Sequence, residues 1–182
     1  MNKAGKWIVI LVGTAAILGT VIWSNWRVGS QTEGMATAAS VPQAGYKMAA
    51  FSLPAYPDQH QISTTDFNGK PIYINFWASW CPPCQAESPD LEKAFLKYGD
   101  KIQFLAVNVT DNDKLADVQS FLEKYGITYP VLLDEKGNVS ELYQVDGIPA
   151  SFFIDRSGMI VDTFVGAIPP QVLDQDLQKI LK

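Results

Sequence analysis

Histidine occurs once in the 182 residues, at His60, and cysteine only twice, at Cys81 and Cys84. A structural zinc site takes about four Cys or His ligands, so a Cys/His zinc centre cannot be built within one chain. No metal and no cofactor is expected. Two cysteines also exclude the multi-bridge framework on which many small secreted domains rely. Basic residues number 14 against 19 acidic ones, for a net charge of −5. Three of the basic residues, Lys3, Lys6 and Arg27, lie near the N-terminus, so the remainder is more acidic still. Nucleic acid wants a basic patch, and none is expected here; the acidity favours solubility. No internal repeat is present.

Long apolar runs are scarce as well. The one long stretch, Trp7 to Trp26, is interrupted only by Gly13, Gly19 and the polar residues Thr14, Thr20, Ser24 and Asn25. As a helix it would be about 30 Å long, enough to cross a bilayer core. Trp7, Trp23 and Trp26 stand near its ends, where aromatic rings favour the interface, and Lys3 and Lys6 before it favour an N-in orientation. A cleaved signal peptide is the competing reading, but its apolar part runs to roughly 7–15 residues followed by small residues. Here Ser24-Asn25-Trp26-Arg27 follows instead. The expected organisation is an uncleaved transmembrane signal-anchor over 1–27, a flexible linker over 28–45 rich in Ser, Thr, Ala, Gln and Gly, and a folded domain over 46–182. The domain would then sit on the extracytoplasmic side of the cell membrane. An oxidising exterior permits disulfides, yet the domain has none to spare beyond its two thiols. It must hold together by its core, which a domain of this size can supply.

The two cysteines form Cys81-Pro82-Pro83-Cys84, preceded by Trp80 and by the apolar run Ile72 to Trp77. Two thiols at this spacing, at a strand-to-helix junction, can make and break a disulfide between themselves. They can thereby exchange two electrons and two protons with another protein's thiols. A purely structural bridge closing so short a loop would restrict the unfolded chain little.

The pattern through the domain alternates. Phe51-Ser52-Leu53 and the stretch up to Lys70 read as short strands and a turn. Ile72 to Trp77 reads as a buried central strand. A helix is expected from the second cysteine to Tyr98, kinked at Pro89. A strand over Ile102 to Val109 and a helix over Asp113 to Tyr125 follow, the latter striped by Leu115, Val118, Leu122 and Tyr125. Next come a strand over Pro130 to Leu133, a hairpin of Ser151 to Ile154 with Met159 to Val165, and a terminal helix. This order predicts an α/β fold with a central mixed β-sheet flanked by helices.

Phe76 to Cys84, followed by Glu87-Ser88-Pro89 and then by Gly147 to Asp155, resembles the thioredoxin superfamily. Within it the chain is most similar to the ResA/TlpA-like membrane-anchored thiol–disulfide oxidoreductases of bacteria, from about Phe51 to the C-terminus and in its N-terminal segment. The resemblance implies a thioredoxin-like fold with an N-terminal β-hairpin extension. Cys81 is expected at the exposed N-terminal end of the helix, where the dipole and free N–H groups stabilise an attacking thiolate. Cys84, one turn in and shielded, would resolve the mixed disulfide. Pro82 and Pro83 fit the first turn, whose N–H groups lack helical partners. Glu87 lies three residues beyond Cys84, above Leu91, Ala94 and Tyr98. A carboxyl there should be partly desolvated, with a raised pKa that suits it to exchange a proton with Cys84. Thioredoxins carry a buried aspartate where this chain has Asn75, which cannot titrate. Pro149 is expected to be cis, with the Ile148 backbone open to an extended substrate segment. Trp80, Pro82, Pro83, Ile148 and Pro149 together make the expected substrate-contacting surface.

The resemblance further implies a membrane thiol-electron donor of CcdA type and a disulfide-bearing protein substrate. Apocytochrome c, whose Cys-x-x-Cys-His must be reduced before haem attachment, is the foremost candidate. Related proteins act instead on envelope or sporulation targets. Some cytochrome-maturation members place an acidic residue between the cysteines, where this chain has Pro82-Pro83. A disulfide-forming oxidase shares the fold but needs a destabilised disulfide. A copper carrier of related fold has C-x-x-x-C and a downstream histidine, whereas His60 lies upstream.

Overall fold

A computed structural model describes residues 42–182. The expected anchor, and the expected linker up to residue 41, lie outside the described residues. No helix among the described residues is long and apolar enough to cross a membrane.

Among the described residues seven strands and four α-helices follow in chain order: β1 Ser52–Pro54, β2 Gln61–Ser63, β3 Ile72–Trp77, α1 Pro82–Tyr98, β4 Gln103–Asn108, α2 Leu115–Tyr125, β5 Val131–Leu133, α3 Asn138–Leu142, β6 Ala150–Ile154, β7 Ile160–Val165 and α4 Pro170–Ile180. β1 and β2 pair antiparallel as a separate two-stranded sheet. The main sheet has the order β5-β4-β3-β6-β7. β3, β4 and β5 run parallel, and β6 and β7 return antiparallel.

β3 is central, and all six of its residues are buried. Alternation along it divides the core. Tyr73 and Trp77 join a cluster with Leu91, Val118, Phe121 and Leu177. Ile72, Ile74 and Phe76 join the other cluster, with Leu53, Val139 and Tyr143. Chain direction explains the assignment. The crossovers β3–α1–β4 and β4–α2–β5 step the same way across the sheet, and right-handed connections put both helices on one face. The return from β5 to β6 steps back and carries α3 to the opposite face. Each fully buried Ile, Leu or Phe contributes roughly 1.5–3 kcal/mol, so β3 anchors both halves of the core. It also delivers the chain to the cysteines at its C-terminal end.

The structure departs from expectation in four places. The ordered chain reaches back beyond Tyr46: Pro42 is buried, and the Gly45 N–H bonds to the Ile160 carbonyl at 2.8 Å. The expected helix from Asp113 begins only at Leu115. Asp113 is occupied instead as an acceptor for the Ser79 N–H, the Ser79 hydroxyl and Asn108. Of the expected stripe on that helix, Val118 is buried and Leu122 and Tyr125 pack against the same cluster, but Leu115 is exposed and Phe121, outside the stripe, is buried. Finally, α3 is a helix that periodicity over five residues could not reveal. Its first turn is held by Asp134, which accepts the Val139 and Ser140 N–H groups.

Candidate active site

α1 starts from Cys81, which caps it: the Cys81 Sγ accepts the Cys84 N–H at 3.3 Å. Pro82 and Pro83 occupy the first helical positions, where a missing N–H costs nothing. The helix continues through Pro89. Cys81 and Cys84 are joined as a disulfide, with Cα atoms 5.3 Å apart.

Cys84 is shielded at 1 % exposure, but so is Cys81, at 2 %. This corrects the expectation of an exposed Cys81. The sulfur is bonded to Cys84 and lies 3.7 Å from the Ile148 carbonyl oxygen. The Ile148–Pro149 peptide is cis. Pro149 is buried and Ile148 half-buried. Neither the N–H nor the carbonyl of Ile148 takes part in a backbone–backbone hydrogen bond among the described residues.

Trp80 is exposed beside the disulfide, its indole N–H donating to the Asn112 carbonyl at 2.8 Å. Trp77 is buried against Phe121, with ring centroids 4.3 Å apart. A groove of about 900 Å³ opens next to the cysteines, with Trp80, Asn112, Glu141, Gln144, Asp146 and Ile148 among its walls. His60 is exposed on a distant loop, paired with Asp58.

Glu87 faces inward from α1 and is 4 % exposed. Its Oε2 accepts the Ile168 backbone N–H and its Oε1 accepts Asn75 Nδ2, both at 3.0 Å. Burial pushes the carboxyl up to about 7, against the pull of those two donors. Asn75 in turn reaches Ser151 on β6, whose hydroxyl lies 2.9 Å from the Tyr73 hydroxyl. Ile168, Ser151 and Tyr73 were not singled out as site residues from the sequence. For Ser151 a signal existed: it is a polar residue inside the apolar run Ala150–Ile154, as Asn75 is inside Ile72–Trp77. The two stand opposite one another in the β3–β6 register.

A disulfide at the start of a helix, a cis-proline loop against its first sulfur and a buried carboxyl on the next turn make a thiol-exchange centre. Residues 43–181 match the Redoxin family. The chain belongs to that family. It is 33 % identical over 176 residues to the thioredoxin-like protein YneN of Bacillus subtilis, covering 96 % of this chain and 95 % of that protein. It is 30 % identical over 173 residues to the thiol-disulfide oxidoreductase ResA of Geobacillus thermodenitrificans, covering 94 % and 92 %. A crystal structure of a thiol:disulfide interchange protein DsbE from Chlorobium tepidum superposes with a TM-score of 0.70 at 33 % identity, covering 79 % of this chain and all of that one. This Redoxin-family member is a thiol–disulfide oxidoreductase, similar in kind to the ResA and DsbE proteins.

In this Redoxin the position of Glu87 links stability to pH. Its folded value, about 7, lies above the ordinary 4.5. A raised carboxyl means that the folded state holds the proton more tightly. The associated stability is complete below about 4.5 and is lost as the pH rises through about 7. The shift corresponds to roughly 3 kcal/mol. Glu87→Gln should flatten this slope, since Asn75 can turn its carbonyl toward the new amide. Urea unfolding of the oxidised protein at pH 5 and pH 8 checks it: the loss across that interval should shrink by roughly 2–3 kcal/mol.

Proposed function

We propose that this protein is an extracytoplasmic, membrane-anchored reductase of disulfides in other proteins, with apocytochrome c as its substrate. The observation that carries the direction of the reaction is the first turn of α1. Pro82 and Pro83 remove two N–H donors that would otherwise face Cys81. A thiolate with fewer donors is less stabilised, and a less stabilised dithiol is a stronger reductant. Segment 1–27 would tether the domain to the membrane, and residues 28 onward would give it reach.

In the reducing cycle the Cys81 thiolate attacks one sulfur of a substrate disulfide and forms a mixed disulfide, expelling the other substrate sulfur as a thiolate. Cys84 gives its proton to Glu87 and attacks Cys81. The second substrate sulfur leaves, and Cys81–Cys84 is oxidised. The substrate has gained two electrons and, after protonation, two thiols. An extended substrate segment would pair with the unoccupied Ile148 backbone by strand addition, against Trp80, Pro82, Pro83 and Pro149. A CcdA-type membrane donor would return two electrons to the pair, because the exterior offers no reductant of its own.

The test is the reduction potential of Cys81–Cys84. A value near or below about −270 mV, that of thioredoxin, supports a reductase; one near −120 mV, that of a strong periplasmic oxidant, makes it a disulfide-forming enzyme. The same measurement checks the role of the prolines. Pro82→His restores a donor and adds a partial positive charge near Cys81, so the potential should rise by about 30 mV for each unit by which the thiolate pKa falls. An unchanged potential would reduce the prolines to turn-formers.

A further inference from the structure

Glu87 is gripped at both oxygens, but the two grips differ in kind. The Ile168 N–H on Oε2 belongs to the main chain and cannot become an acceptor. The Asn75 Nδ2 on Oε1 belongs to a carboxamide that can turn over. Turned over, it would present Oδ1, repel the carboxylate and welcome a protonated acid instead. The donor orientation therefore holds Glu87 toward its charged form, in opposition to burial.

What keeps Asn75 in that orientation is on the neighbouring strand. Ser151 stands opposite Asn75 across the β3–β6 pair. Its Oγ lies 3.4 Å from Asn75 Nδ2 and 2.9 Å from the Tyr73 hydroxyl. Tyr73, Asn75 and Ser151 are 2 %, 3 % and 1 % exposed, so solvent is poorly placed to replace a lost partner.

We propose that Ser151 is a positioning residue for the thiol-exchange centre: its hydroxyl, with the proton given to the Tyr73 oxygen, is left to accept from Asn75, keeps the N–H side of Asn75 turned to Glu87 and so sets when Glu87 takes a proton. This rests on the reading of Glu87 as the group that exchanges a proton with Cys84. The titratable groups around Glu87 are Tyr73 on β3, Tyr129 ahead of β5, and the two cysteines at the start of its own helix. Burial first, then the Glu87 charge, holds Tyr73 far above its ordinary range. Burial, then Glu92 and Glu87, does the same for Tyr129. Both phenols stay neutral through neutral pH, and disulfide-bonded cysteines do not titrate. In the oxidised protein the Glu87 titration is therefore isolated.

The side-chain carboxyl ¹³C resonance of Glu87, assigned by its loss in Glu87→Gln, reads that titration in the oxidised full-length protein. Ser151→Ala frees Asn75 to turn over, so the midpoint should move upward by about half a pH unit or more, the size expected for one neutral hydrogen bond. Ser151→Thr keeps the hydroxyl and should return the midpoint to the wild-type value. Tyr73→Phe, which frees the Ser151 proton to donate to a turned-over Asn75 while the hydroxyl can still accept, should move it the same way by less, and it provides the test if Ser151→Ala does not fold. A wild-type midpoint in both Ser151→Ala and Tyr73→Phe overturns the inference. Exchange of the reduced Glu87→Gln protein with a small-molecule disulfide tests the underlying reading separately. Rates and pH profile identical to wild type would remove the proton role of Glu87 and with it the catalytic meaning of Ser151.

Discussion

Replacing Cys84 with serine should stop turnover and leave the protein covalently joined to its substrate through Cys81. The two sulfurs have unequal places. Cys81 is the cap of α1, outside the helix proper, with Ile148 and the groove beside Trp80 next to it. Cys84 is one turn in, on the buried face that carries Glu87 and Leu91. Both sulfurs are shielded in the disulfide, but Cys81 lies at the edge of that groove and is the one placed to meet a partner's disulfide. The second acts inside the protein, where a Cα–Cα separation of 5.3 Å already suits a bridge and gives its thiol a very high effective concentration. Removing it should slow release of the mixed disulfide by at least about a thousandfold.

The complementary variant gives the contrast. Cys81→Ser leaves only the inner thiol, one turn into α1, and should form no adduct. Non-reducing electrophoresis and intact mass of each variant, mixed with a disulfide-bearing protein, decide the matter. Equal adduct from both variants would mean that Cys84 can reach the partner too, and the division between attacking and resolving sulfur would fail. The trapped adduct also identifies the substrate, because whatever protein remains on Cys81 is the one whose disulfide was attacked.

Much of this centre was legible before any coordinates. β3 is bounded where the apolar run Ile72 to Trp77 is bounded, because a strand buried on both faces admits apolar residues almost throughout. α1 and the inward face of Glu87 follow from a three-residue step along a helix. What was not legible depends on contacts between distant parts of the chain. The donor to Glu87 Oε2 is Ile168, which lies 81 residues away, and a backbone N–H leaves no mark on residue type. Cys81 is buried because a loop 67 residues further on lies against it. Periodicity assigns Leu115 to the core, but it is the first residue of α2 and stays exposed, while Phe121 packs against Trp77, a contact between elements more than forty residues apart. Ser151 is intermediate. Its polarity within an apolar strand was visible, but its pairing with Asn75 required the register.

That register leads to the largest stability effect expected from a single atom-scale change. Asn75→Asp would put a second carboxyl where the Asn75 amide now lies 3.0 Å from Glu87 Oε1. Two buried carboxyls at that distance cannot both ionise. At pH 5 the pair holds a proton that can bridge the two, in place of the lost amide donor, and stability should stay near wild type. As the pH rises, the folded state keeps that shared proton, whereas the unfolded chain has already lost both, so stability falls. The two steps belong to the pair and not to either residue. If the second lies above pH 8, the cost at pH 8 is on the order of 5 kcal/mol, comparable with the whole stability of many domains. Urea unfolding of the oxidised variant at pH 5 and pH 8 should therefore show a collapse at the higher pH far steeper than that of wild type. Equal stability at both would mean that Glu87 can turn away from β3, and that the grip of Asn75 and Ser151 on it is loose. The expected collapse would also give a physical reason for a pattern seen in the sequence. Thioredoxins place the buried carboxyl on the strand, this chain places it on the helix at Glu87, and a centre with this geometry has room for one.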